Sequence, residues 1–182
     1  MSLLHSNHLL SFTIHPPDSP STFLIALFSF PYIYEKERKA MKTLLVKTVA
    51  ILLGCIVGMI TMMLTHLLFF QLIPLPDGTT FGTPAQIAES VSKFELKHYL
   101  NPFIAHSMGT FIAAVTGGLI AFSYRRHTIA IIGLLFLIAG ILNSFDIPAP
   151  LWYDALDLIF CYMPMAWLGL KVVEKIRKPL PA

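Results

Sequence analysis

An uncharged stretch, Pro102–Tyr124, places the strongest constraint on how this chain can fold. As a helix rising about 1.5 Å per residue, it is long enough to cross the roughly 30 Å hydrocarbon core of a bilayer. Small residues recur along it at every fourth position, a pattern that lets two membrane helices approach to backbone contact. They are Ala105, Gly109, Ala113, Gly117 and Ala121. We therefore predict that this stretch is the central helix of a small membrane bundle.

The composition is typical of a membrane protein rather than a soluble domain. Of the 182 residues, 55% are hydrophobic and only 13% are charged, whereas about a quarter of residues are charged in soluble domains. The net charge of +3 forms no basic patch, because Lys and Arg cluster at the ends of apolar runs. We expect the lipid bilayer as a partner and no binding of nucleic acid. Cys55 and Cys161 lie within apolar spans and are expected to be small core residues.

Residues 1–40 differ from the rest of the chain. They contain a His-, Ser- and Pro-rich start, a short apolar run broken by Pro31, and the charged sequence EKERKA. The apolar run is too short to span a bilayer. Met41 then opens a typical membrane-protein start, MKTLLVK followed by a long apolar helix. We predict that translation begins at Met41 and that 41–182 is the membrane domain. The alternative is an interfacial anchor over 1–40.

Four apolar stretches predict an all-α fold, a four-helix transmembrane bundle. The predicted spans are residues 48–73, 102–124, 128–145 and 151–170. Gly54 and Gly58 of the first span are four residues apart, so we expect this helix to pack against the small-residue face of the second span. Gly133 and Gly140 mark the packing face of the third span.

A short amphipathic surface helix is predicted between the first two spans. Thr83 supplies an N-cap, Pro84 the first helical residue and Gln86 a capping-box side chain, so a helix should follow to about Lys97. Its apolar side is formed by Ile87, Val91 and Phe94. This helix either covers the bundle as a lid or is a solvated loop helix without a role.

The distribution of basic residues supports the fourth span, although Asp154 and Asp157 lie in its first two turns and Pro164 predicts a kink. With four spans, only Lys93 and Lys97 of the thirteen basic residues fall on one side of the membrane. The other side carries Lys36, Arg38, Lys39, Lys42, Lys47, Arg125, Arg126, Lys171, Lys175, Arg177 and Lys178. Basic residues favour the cytoplasmic side, so we predict a multi-pass protein of the bacterial inner membrane with both termini in the cytoplasm.

Two segments carry a resemblance to other proteins. HYLNPFIAHSMGT at His98–Thr110 and IPAPLWYDALDLIFCYMPMAWLG at Ile147–Gly169 resemble a group of small, uncharacterised bacterial four-span membrane proteins. The resemblance covers roughly residues 41–171. It implies an integral bacterial membrane protein and transfers no catalytic residue.

Ionisable residues at membrane depth are costly, and they mark the candidate site. At about 1.5 Å per residue, His66 lies roughly 10 Å, His106 about 6 Å and Asp157 about 9 Å inside the outer ends of their spans. We predict that they form a polar cluster with Asp154, in a pocket open to the non-cytoplasmic side. His106 and Asp157 should lie within reach of one water molecule, with His66 somewhat farther away.

This cluster has two interpretations. Imidazole and carboxylate together suit a transition metal, a proton or another ligand, and Met59, Met62 and Met63 would add soft ligands for copper. Alternatively, the cluster is a set of hydrogen-bonded polar side chains that fixes the register of the helices. The two aspartates are then favoured because negative charge is stabilised near a helix N-terminus. We predict no cofactor, and the identity of any metal stays open.

Three functions remain open at the level of sequence. The first is a non-enzymatic accessory or assembly protein whose small-residue faces bind other helices, as a homodimer or with another membrane protein. The second is a permease for a small solute or ion, which would need to form an oligomer. The third is a membrane enzyme or metalloprotein that uses His66, His106 and Asp157. The sequence contains no phosphate loop, dinucleotide glycine fingerprint, HExxH or CxxC motif, and no nucleophile–base pair is visible.

Overall fold

Six α-helices form the structure, a computed structural model that describes residues 20–177. They are α1 (Pro20–Leu72), α2 (Pro84–Ser92), α3 (Leu100–Ile120), α4 (Arg125–Asp146), α5 (Leu151–Phe160) and α6 (Met163–Ile176). Two 3₁₀ turns, Leu96–Tyr99 and Phe122–Tyr124, precede α3 and α4. The described residues contain no β-strand. The predicted all-α fold is confirmed.

Four helical segments are long and apolar enough to cross a membrane. They are Tyr34–Leu72, Leu96–Ile120, Phe122–Asp146 and Leu151–Ile176. Many large apolar side chains along them remain exposed in the isolated chain, as expected for surfaces that face lipid. The described part of the chain thus contains the predicted four membrane-length helices, and these segments indicate a membrane protein.

The first helix is longer than predicted. It runs from Pro20 to Leu72 without a break, so Pro31 does not interrupt it and no helix begins or ends at Met41. By its internal contacts the chain divides into two compact units, residues 1–42 and 43–182, and α1 contributes to both. Residues 1–19 lie outside the described part, and the predicted start of translation at Met41 stays a prediction.

The turn between the second and third spans lies earlier than predicted. α3 ends at Ile120, the turn occupies Ala121–Tyr124, and Arg125 is already the first residue of α4. Arg125 and Arg126 therefore lie in a helix and not in the turn. Both approach Glu174 on α6, at 3.8 Å and 3.3 Å between guanidinium nitrogen and carboxylate oxygen.

The fourth span consists of two helices. α5 ends at Phe160, a turn at Cys161-Tyr162 follows, and α6 begins at Met163 and continues to Ile176, beyond the predicted end at Leu170. Pro164 explains the interruption, because proline has no N–H to donate and its ring clashes with the carbonyl four residues earlier. The predicted kink is thus a break. Cys161 anchors the turn, since its thiol donates to the Phe103 carbonyl at 3.3 Å and accepts from Ser107 at 3.1 Å.

α3 is the central helix of the second unit, as predicted, with α4 and α6 packed beside it. Its predicted small-residue face meets α1. A methyl group placed on Gly58 would lie 2.6 Å from the Gly109 carbonyl oxygen and 2.5 Å from the Ala113 Cβ atom. One placed on Gly54 would lie 2.8 Å from the Ala113 carbonyl oxygen. The two backbones are therefore in contact, and only glycine fits at these positions of α1.

A second face of α3 packs against α6 at similarly close range. A methyl group on Gly169 of α6 would lie 2.8 Å from the Ala114 Cβ atom, and one on Gly118 would lie 3.1 Å from a Val173 methyl group. Ala105, from the predicted stripe, is fully buried. Both small-residue faces of α3 are thus used within the chain.

Gly133 and Gly140 lie on the packing face of α4, as predicted. A methyl group on Gly133 would lie 2.8 Å from the Ala166 Cβ atom of α6. Gly140 lies directly beneath the ring of Tyr162, with no room for a side chain between them. The absence of a side chain on Gly140 therefore positions Tyr162.

α2 is shorter than the predicted surface helix. Thr83 caps it as predicted, accepting a hydrogen bond from the Gln86 N–H at 3.3 Å, but the helix ends at Ser92 instead of near Lys97. The Ser90 hydroxyl ties α2 to the preceding loop by donating to the Thr80 carbonyl and accepting from the Thr80 N–H, both at 2.9 Å. These two bonds attach α2 to the preceding loop, while most of residues 81–89 are exposed.

Candidate functional site

A cavity of about 550 Å³ lies at the end of the bundle where α5 begins. Most of its lining is apolar or aromatic, and polar groups are concentrated on a few positions. The polar and titratable residues in the lining are His66, His98, Tyr99, Asn101, His106, Asn143, Ser144, Tyr153, Asp154, Asp157 and Tyr162. This size is in the range of small-molecule sites in proteins, about 300–1,000 Å³.

His106, Asp157 and Tyr162 form a hydrogen-bonded triad in the cavity wall. The Nδ1 atom of His106 lies 2.9 Å and 3.0 Å from the two carboxylate oxygens of Asp157. The Tyr162 hydroxyl donates to Oδ2 of Asp157 at 2.8 Å, and its oxygen lies 3.2 Å from the same Nδ1 atom. Asp157 is 5% exposed, and these donors compensate its buried carboxylate. The predicted proximity of His106 and Asp157 is confirmed, and the contact is direct.

His66 belongs to a second, neighbouring pair. Its Nδ1 atom lies 2.9 Å from the Oδ1 atom of Asn101, which is buried near the start of α3. The rings of His66 and His106 are 6.0 Å apart between centroids and nearly perpendicular. The sequence-based expectation that His66 lies near the pair, but farther away, agrees with this geometry.

The backbone of α3 explains why it serves both pairs. Asn101 and His106 are five residues apart, a separation that turns a side chain by about 140° around a helix. They therefore point toward different neighbours, Asn101 toward α1 and His106 toward α5.

Asp154 lines the cavity but does not join the triad. Its carboxylate makes no hydrogen bond or ion pair with any other residue of the described chain. It lies three residues before Asp157 on α5, so the two carboxylates share one face of that helix. Of the four predicted cluster residues, three come together with direct partners and the fourth is a separate carboxylate in the same cavity.

Tyr153 is a second cavity residue whose polar group lacks a partner. Its side chain is 7% exposed, and its hydroxyl is buried without a hydrogen bond to any described residue. Its ring packs against Tyr99 at 4.9 Å between centroids. A buried hydroxyl without a partner is costly, so the group is available to a bound molecule.

The connection between the first two spans covers the cavity. Val91 of α2 and Phe94 line it, together with Phe81 from the preceding loop. The polar side of α2 carries Glu89, whose carboxylate accepts from Lys93 at 2.9 Å, and this pairing holds the pKa of Glu89 below its usual value. Of the two sequence-based interpretations of this helix, the lid agrees with the structure.

Three residues of the site were missed at the level of sequence: Asn101, Tyr153 and Tyr162. Each is neutral, and a neutral polar residue in an apolar run carries a much weaker signal than a charge. A usable signal does exist for Tyr162. Pro164 predicts a break in the last span, and a break changes the face of the span on which Tyr162, two residues earlier, lies.

The site offers little for a metal ion. In the part of the chain that the structure describes, no three His, Cys, Asp or Glu side chains are grouped for one ion. Met62 and Met63 line the cavity beside His66, whereas Met59 is outside its lining and largely exposed. Copper ligation by all three methionines, one of the sequence-based alternatives, does not fit this arrangement.

Comparison of the chain with family models, curated proteins and solved structures finds no match. The fold and the site therefore define the class: an all-helical membrane protein with four membrane-length segments and a cavity between its helices.

Proposed function

We propose that the protein binds a small, largely apolar molecule in the cavity beside the His106–Asp157–Tyr162 triad, as a non-enzymatic accessory protein of the membrane. The observation that carries this proposal is the cavity of about 550 Å³, with apolar walls and polar groups at a few fixed positions. The triad holds its own hydrogen bonds without a ligand, so the site is preorganised and little ordering is needed on binding.

A binding role is preferred to catalysis because no nucleophile is held by the imidazole of His106. On α3, the Ser107 hydroxyl donates to the Cys161 sulfur and the Thr110 hydroxyl to the His106 carbonyl. The Tyr162 hydroxyl donates to Asp157. A nucleophile in a hydrolytic site is instead activated by a hydrogen bond to its general base.

A binding role is also preferred to transport by a single chain. The cavity reaches no deeper along α3 than His106, and from Gly109 onward α1 and α3 are in backbone contact. A permease would need a path through this contact or a second copy. Because both small-residue faces of α3 are used within the chain, a homodimer or another membrane partner would have to use other surfaces.

The orientation belongs to the proposal. Under the positive-inside tendency, the end that carries Arg125, Arg126 and Lys171 is cytoplasmic, and the cavity opens on the opposite side. We further propose the bacterial inner membrane as the location, on the basis of the resemblance to small four-span bacterial membrane proteins.

The test is to identify what the protein retains from its membrane. The protein and two variants are extracted with membrane-solubilising polymer, and the bound molecules are measured by mass spectrometry. Ala139→Trp places an indole in the cavity lining, whereas Ala130→Trp places it at an exposed position of the same helix. We expect a molecule that is enriched with the native protein and with Ala130→Trp but lost with Ala139→Trp. Identical profiles for all three proteins would contradict the proposal.

A further inference from the structure

Several polar atoms in the cavity lining are hydrogen-bond acceptors. Nδ1 of His66 and of His106 face oxygens of Asn101 and Asp157, so each Nδ1 carries the proton, and a neutral ring then has its lone pair on Nε2. Neither Nε2 atom has a hydrogen-bond partner among the described residues. The Asp154 carboxylate adds two further acceptor oxygens. A ligand that donates hydrogen bonds therefore finds several acceptors in this cavity.

The charge of the lining is negative. Asp154 and Asp157 both line the cavity, and no Lys or Arg is among its described lining residues. The two lysines of the lid region are engaged elsewhere, Lys93 with Glu89 at 2.9 Å and Lys97 with Glu95 at 3.0 Å. Asp157 has its own donors in the triad, which leaves the Asp154 carboxylate without a counterion.

The buried hydroxyl of Tyr153 is the independent observation that points to a ligand. This residue is 7% exposed and lines the cavity, and its oxygen has no partner in the described chain. Tyr153 is the residue immediately before Asp154 on α5. The side chains of Tyr153 and Asp154 both line the cavity.

The walls favour a positive group on an apolar body. Seven aromatic rings line the cavity: Phe70, Phe81, Phe94, Tyr99, Phe136, Tyr153 and Tyr162. Ring faces attract cations electrostatically, and the rings also bury apolar surface. Anionic ligands such as fatty acids would face two carboxylates and no Lys or Arg, so the walls disfavour them.

From these features we infer that the ligand is a lipophilic ammonium compound. This inference rests on the proposed function. The ammonium N–H groups donate to the Asp154 carboxylate and to the Tyr153 oxygen, while the apolar body lies among the aromatic rings.

The test uses three probes with the same aromatic frame and different heads. They are 1-naphthylmethylamine, 1-naphthalenemethanol and 1-naphthoate, which carry an ammonium, a hydroxyl and a carboxylate at neutral pH. Binding to the full chain in lipid nanodiscs is measured by the rise in Tm and by titration calorimetry. We expect saturable binding of the amine, weaker binding of the alcohol and none of the carboxylate.

Two aspartate variants locate the head group. Asp154→Asn removes the charge and should weaken amine binding about tenfold or more, because a hydrogen bond to a charged group is lost. Asp154→Glu keeps the charge and should retain binding, which guards against a misfolded Asn variant. Asp146→Asn, at the exposed end of α4 outside the cavity lining, is the matched control and should bind as the native protein does.

Three outcomes would overturn the inference: equal binding of alcohol and amine, preference for the carboxylate, or undiminished amine binding by a folded Asp154→Asn variant. Failure of all three probes to bind would overturn it too. The proposed function is judged separately, by whether Ala139→Trp loses a co-purifying molecule. A retained neutral or anionic molecule would thus leave the proposed function intact while excluding the ammonium.

Discussion

The ring of Tyr162 lies directly over Gly140, in the space that a side chain at position 140 would occupy. This contact joins α4 to the turn between α5 and α6 and holds the tyrosine hydroxyl against Asp157 at 2.8 Å. The geometry of the triad therefore depends on a residue that has no polar group.

Gly140→Ala should displace the Tyr162 ring and break its hydrogen bonds. The added methyl group overlaps the ring, and overpacking in a closely packed interior costs typically about 1–3 kcal/mol. The measurement is a double-mutant cycle with Tyr162→Phe, using thermal stability in detergent. Removing the hydroxyl should cost clearly less in the Gly140→Ala background than in the native protein. An equal loss of stability on Tyr162→Phe in both backgrounds would mean that the Tyr162 hydroxyl keeps its hydrogen bonds in the Gly140→Ala variant.

Asp157→Asn should destabilise the protein more than a surface aspartate change does. The carboxylate accepts from His106 and Tyr162, whereas an amide offers one oxygen and turns an N–H₂ group toward one of these donors. Losing a hydrogen bond to a charged group costs about 1.5–3 kcal/mol. Asp146→Asn serves as the control, and equal Tm values for the two variants would argue against a structural role for the triad.

Gly58→Ala should loosen the contact between α1 and α3. The new methyl group would lie 2.6 Å from a backbone carbonyl oxygen of Gly109, and a backbone atom cannot move aside as the tip of a side chain can. We expect a lower Tm in detergent. Gly82→Ala is the matched control, since its methyl group would meet only the end of the Gln86 side chain. A Gly58→Ala protein as stable as the control would contradict backbone contact at this position.

The membrane orientation can be tested with reporter fusions. A reporter placed after Lys178 should read the cytoplasm, and one placed near Glu89 should read the opposite compartment, because basic residues favour the cytoplasmic side. The same compartment for both reporters would remove one of the four spans.

The helical architecture could be predicted because its signals are strong and additive. A glycine every fourth residue has few explanations in an apolar run, so the pattern predicts the observed pairing of Gly54 and Gly58 with Ala113. His106 and Asp157 were also found, since the rise of a helix gives the depth of each residue and a charge at that depth needs a partner.

The helix ends and the neutral members of the site were harder to predict. On a continuous helix, Asp157 and Tyr162 would differ by about 140° in direction, so an unbroken last span does not pair them. The break at Cys161-Tyr162 removes this difference, and its geometry depends on the contacts of Cys161 with Phe103 and Ser107. The continuous α1 helix through Pro31 was likewise not expected, because proline usually ends or kinks a helix.

The close contacts of α3 give the two ends of the second unit different mechanical stiffness. From Gly109 to Gly118, α3 touches α1 and α6 through backbone and methyl groups, which have no rotamers to exchange. At the opposite end it is preceded by a 3₁₀ turn, and its neighbours are long aromatic and imidazole side chains. Under the proposed binding function, we expect the motion that admits a molecule at the end that holds Asn101 and the lid, with the glycine-packed end as the more rigid part.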